Sequence, residues 1–150
     1  MAKPRRPSLK TIYGQPSYTL QTKQVSMAVS QLAGCMAPVR FYRDTKSPVE
    51  PLAIAPWWKE KMPTGTPPVI KALRGDFFCM PFGGSDTAYK GILYPPHGET
   101  ANRKWEFQDI VRKRSGKALH LSMDLKLQKG RVEKTLAILE GQNGKKDHQI

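Results

Sequence analysis

The chain has 150 residues, 39% of them hydrophobic, which is enough for one domain with its own core. No apolar run approaches the length of a bilayer-spanning helix, which argues against a membrane protein, and the charged start MAKPRRPSLK lacks the apolar stretch of a secretory signal. Against 12 Asp and Glu stand 25 Lys and Arg, a net charge of +13 that attracts polyanions in principle.

That charge is dispersed. Its densest clusters are Lys3-Arg5-Arg6, Arg112-Lys113-Arg114 and Lys145-Lys146, two of them near the termini. Basic patches interleaved with aromatics on one strand, as an RNA-recognition motif would show, are absent, so solvated surface charge is the reading and a nucleic-acid partner is not expected. Cys35 and Cys79 have no metal-ligand spacing. Two half-buried free thiols in a reducing cytoplasm are expected, with a disulfide as the alternative.

Residues 1–16 are polar, basic and Pro-rich and read as a flexible N-terminus. Tyr18 to Thr22 and Val25 to Ser30 follow as strands, the second alternating Val25, Met27 and Val29 against Ser26 and Ser30. Gly34 interrupts, and Pro38 to Arg43 resumes an extended run. Between Asp44 and Pro68 stand six prolines, Pro48, Pro51, Pro56, Pro63, Pro67 and Pro68, so the segment reads as a long loop without helix, with Trp57-Trp58 in its middle.

From Leu119 to Leu127 every odd position is apolar and the even ones are His120, Ser122, Asp124 and Lys126, a strand with one dry and one wet face. Lys129-Gly130 supplies a turn, and Arg131 to Leu139 returns as a hairpin partner. With no amphipathic helix to cover the dry face, the cover should be a second sheet. The fold class is therefore all-β, an antiparallel β-sandwich.

The densest chemistry lies in residues 74–105, RGDFFCMPFGGSDTAYKGILYPPHGETANRKW. An Arg-Gly turn leads into a Phe-Phe-Cys-Met strand, then a Pro-Phe-Gly-Gly turn and a His-Gly turn, with Trp105 close behind. Aromatic faces beside Arg, His, Glu and Asn suit a sugar, which offers apolar C–H patches and a rim of hydroxyls. Plainer readings stand beside this one. Arg74 can pair with Asp76 at the surface, His97 can be a turn residue, and Trp57, Trp58 and Trp105 can be core or loop anchors.

RGDFFCMPFGG followed by PPHGETANRKWEF resembles the paired motifs of the galactose mutarotase-like superfamily, which includes the aldose 1-epimerases and hexose-6-phosphate epimerases. The run YTLQTKQVSMAVSQLAGCMAPVRFY is similar to that family's opening strands, so the likeness spans most of residues 17–143. It implies a partial supersandwich over 17–143, followed by a polar tail at 144–150. It also implies a small-molecule sugar as partner, substrate contacts at Arg74, His97, Asn102 and Trp105, and neither cofactor nor metal. Family chemistry interconverts anomers through ring opening, which requires an acid and a base on opposite sides of the acetal carbon.

Two departures qualify that implication. Thr100-Ala101-Asn102 stands where the family has Ala-Arg-Asn, removing an Arg that would hold a sugar phosphate, and Glu99 adds a carboxylate that would repel one. The family's acid His and base Glu come from its second half, whereas this chain reads GKKDHQI to Ile150, with the lone His148 given no role. A catalytically incomplete chain with unpaired sheet edges, open to self-association, is the expectation, with a non-catalytic carbohydrate-binding module or a basic nucleic-acid-binding protein as the alternatives.

Overall fold

The computed structural model describes residues 7–141. The tail at 144–150 and His148 lie outside the described residues, as do residues 1–6. Two antiparallel sheets carry the fold, each with neighbouring strands consecutive in sequence. The first holds β1 (Lys10–Ile12), β2 (Gln15–Gln21), β3 (Ser26–Ser30) and β4 (Met36–Arg40). The second holds β5 (Glu106–Lys113), β6 (Gly116–Asp124) and β7 (Arg131–Leu139). No helix among the described residues is long and apolar enough to cross a membrane.

One apolar cluster draws on both sheets. Tyr18, Leu20, Met27, Val29 and Val39 from the first meet Leu119, Leu121, Met123, Leu136 and Ile138 from the second, with Trp105 among them. Tyr18 on β2 and Phe107 on β5 bring their ring centroids to 5.6 Å. Fully burying one such side chain is worth about 1.5–3 kcal/mol, so this cluster is the main term holding the sheets together.

The hairpin predicted from alternation is present, with β7 running over Arg131–Leu139 as expected. Its partner differs in two ways. β6 ends at Asp124 rather than Leu127, because the backbone N–H groups of Lys126 and Leu127 turn to the Glu99 carboxylate instead of the ladder. Its wet face is also not uniformly wet. Ser122 is fully buried beneath Gln108 and Arg131, both of which donate to its hydroxyl.

Other expectations need correction. The segment expected to be a flexible N-terminus contains β1 and the start of β2, with Lys10 opposite Ser17. Its polar side chains gave no sign of order, which comes from pairing with a core strand. The proline-rich segment does hold helical turns: a 3-10 turn at Pro56–Lys59, and α1 (Pro68–Ala72), whose first residue is the last of the six prolines. Proline is tolerated in a first turn because the N–H it lacks has no intrahelical partner there. Trp57 donates to the Ile70 carbonyl at 3.0 Å and Trp58 packs edge-on against Tyr13, so this pair pins the loop to α1 and to the β1–β2 turn.

The Phe77–Met80 strand is not formed. Only an isolated bridge, Met80 to Gly98, interrupts the loop there. A second short helix, α2 (Gly98–Asn102), follows the His-Gly turn where no helix was expected.

Candidate functional site

Arg74 follows α1, and its guanidinium is turned into the protein. The residue is 2% exposed, and Nε donates to the Ala72 carbonyl, Nη1 to Ile12 at 2.8 Å and Nη2 to Tyr13 at 2.9 Å. Burial pulls the guanidinium below its ordinary pKa. Arg74 therefore clamps the β1–β2 turn rather than presenting a charge to a ligand, and it does not pair with Asp76. The Asp76 carboxylate accepts instead from the Met36 N–H at 2.7 Å and from Lys134 on β7 at 3.3 Å. Gly75 between them has φ +50°, and a Cβ there would lie 1.8 Å from the Met36 carbonyl oxygen, so only glycine fits.

His97, Asn102 and Trp105 belong to one local unit. His97 has a left-handed backbone (φ 62°), fixed by donation of its N–H to the Gly83 carbonyl at 2.7 Å. The half-buried ring lies edge-on to Phe77, with centroids 4.9 Å apart, and Nδ1 is 3.7 Å from the Cys79 sulfur. Asn102 is committed to structure. Its amide nitrogen donates to the Pro96 and Gly98 carbonyls on either side of His97, while its oxygen accepts from the Val69 N–H of α1. Trp105 is 1% exposed and donates from Nε1 to the Thr100 carbonyl at 3.0 Å.

Glu99 is the buried anion of the region. Its carboxylate accepts from the backbone N–H groups of Lys126 and Leu127 and from the Arg103 guanidinium. Desolvation pushes its pKa up, but the hydrogen bonds from Leu127, Lys126 and Arg103 outweigh it and hold the carboxyl below the ordinary value. Stability from this group is then fully present above the unfolded glutamate pKa of about 4.3 and is lost as pH falls through the lower folded value. Replacement Glu99→Gln is expected to cost about 1–3 kcal/mol at neutral pH. It should also flatten the acid limb of a stability-versus-pH curve measured by urea denaturation.

Beside this unit opens a hollow of about 340 Å³. It is lined by Asp76, Phe77, Phe78 and Trp105 together with Val132, Glu133, Lys134 and Thr135 of β7. Phe78 is 44% exposed, so an aromatic ring meets solvent there. Phe77 links the hollow to His97. Sequence reasoning missed the β7 contribution because Asp76 and Lys134 lie 58 residues apart, a separation without local pattern.

Cys35 is buried and Cys79 exposed, both as free thiols, and burial pushes the Cys35 thiol up in pKa. Among the described residues, no group of three or more His, Cys, Asp or Glu is arranged to hold a metal ion. No family model matches the chain, and no curated protein and no solved structure matches it.

Proposed function

We propose that this chain is a carbohydrate-binding β-sandwich, similar to the N-terminal half of a galactose mutarotase-like supersandwich, which binds a sugar in the hollow beside His97. The observation that carries this reading is the pairing of aromatic and polar walls. Phe77 and Phe78 offer a face for sugar C–H groups, with the buried Trp105 behind them, while Asp76, Glu133, Lys134 and Thr135 offer acceptors and donors for hydroxyls. The sugar contacts are therefore the residues lining the hollow, with His97 behind Phe77, rather than Arg74 and Asn102, whose polar groups are engaged within the fold.

Binding is favoured over turnover. Anomer interconversion by ring opening needs an acid and a base on opposite faces of the acetal carbon. The carboxylates at the hollow are engaged, Asp76 by the Met36 N–H and Lys134, and Glu133 by Arg131 at 3.5 Å. Glu99, the carboxylate nearest His97 in sequence, is enclosed by Lys126, Leu127 and Arg103. The expected result of an NMR titration with neutral hexoses is saturable movement of resonances at Phe77, Phe78 and the neighbouring His97. Phe78→Ala should weaken the affinity about tenfold, the loss of one aromatic platform worth roughly 1.4 kcal/mol. Polarimetry should register no acceleration of mutarotation. Resonances that stay fixed with every hexose would refute sugar binding, and rapid mutarotation would refute the non-catalytic assignment.

A further inference from the structure

Two backbone segments hold a thiol against an imidazole. Residues 78–80 run beside residues 98–100, with the Glu99 N–H donating to the Met80 carbonyl at 2.9 Å and the Thr100 hydroxyl donating to the Phe78 carbonyl. Gly98 makes this approach feasible, since a Cβ there would lie 2.2 Å from the Met80 carbonyl oxygen. This pairing sets Cys79 Sγ 3.7 Å from His97 Nδ1, and Phe77 packs edge-on against the ring. Cys79 is exposed, whereas Cys35 is buried. The pair thus combines a nucleophile, a base within reach and access from solvent, an arrangement that sequence-local pattern does not produce across 18 residues.

We propose that Cys79 and His97 form a thiol–imidazole pair that makes Cys79 the nucleophilic site of this chain, open to soft alkylating electrophiles and to oxidation by peroxides. In the first step the Sγ proton passes to Nδ1. With hydrogen peroxide, the sulfur lone pair then attacks one peroxide oxygen and an S–O bond forms as the O–O bond breaks. The departing hydroxide takes the proton from the imidazolium and leaves as water. Sulfur is oxidised to the sulfenic acid and the peroxide is reduced. This chemistry does not depend on sugar binding in the neighbouring hollow.

The test is timed labelling of the full chain with iodoacetamide at neutral pH, each cysteine followed by peptide mass spectrometry. Cys79 is expected to label while Cys35 stays protected. His97→Asn keeps a residue that tolerates the left-handed backbone. It is expected to slow Cys79 labelling about tenfold, because the sulfur then has no imidazole within reach to take its proton. Dimedone should trap sulfenic acid at Cys79 after peroxide treatment of the wild-type chain, with a matching loss in the variant. Equal rates in the two chains, with Cys35 protected in both, would overturn the proposal. Should the variant expose Cys35 and so prove unfolded, the wild-type chain decides. Faster labelling of Cys79 in the native state than in urea supports the pair, and equal or slower labelling refutes it.

Discussion

Replacing Trp105 with alanine is expected to remove about 3–5 kcal/mol of stability, read as a lower urea midpoint with an unchanged slope. Trp105 is 1% exposed and sits in the cluster shared by the two sheets, so the substitution deletes the largest core side chain at the point where they meet. The indole also packs directly on Gly34, where an added Cβ would come within 2.9 Å of Nε1. A cavity there cannot close without moving the β3–β4 turn. Trp105→Phe separates two contributions, since it retains an aromatic ring but leaves the Thr100 carbonyl without its donor. It should cost about 1–3 kcal/mol. A stability change below that for Trp105→Ala would mean that Trp105 is a ligand platform and not a core residue.

The second large effect is expected at Arg74. Removing its guanidinium by Arg74→Ala leaves the Ala72 carbonyl without its donor in a buried position and those of Ile12 and Tyr13 in part-buried ones. The expected cost is roughly 3 kcal/mol, the sum of lost charge-assisted bonds offset in part by water entering the gap. Arg74→Lys should recover little of it, because an ammonium cannot replace the planar fork that reaches three carbonyls at once. Limited proteolysis provides an independent readout, with new cleavage expected near Tyr13 as the β1–β2 turn is released. If Arg74→Ala instead left denaturation unchanged and abolished sugar affinity, Arg74 would be a substrate contact after all.

Both predictions concern residues that look functional when read as a string. Arg74 and Trp105 stand in motifs whose order resembles a sugar site, yet their side chains close the fold. The same turn nevertheless places His97 beside Cys79 and beside Phe77, which lines a hollow shared with β7.

What the amino-acid order determined by itself was the sheet content and the β6–β7 hairpin. Alternation along Leu119, Leu121 and Met123 needs only the two-residue period of a strand, and a turn residue such as Gly130 needs only its own backbone freedom. Tertiary structure decided the rest. β1 is a strand because β2 pairs with it and Arg74 holds their turn, and β6 stops at Asp124 because Glu99 captures the next two N–H groups. The roles of Arg74, His97 and Cys79 likewise depend on distant partners, 18 residues apart for the thiol and imidazole and about 60 for Arg74 and the β1–β2 turn. A hydrogen bond between distant segments leaves no periodic trace in either of them, so only the folded chain could assign it.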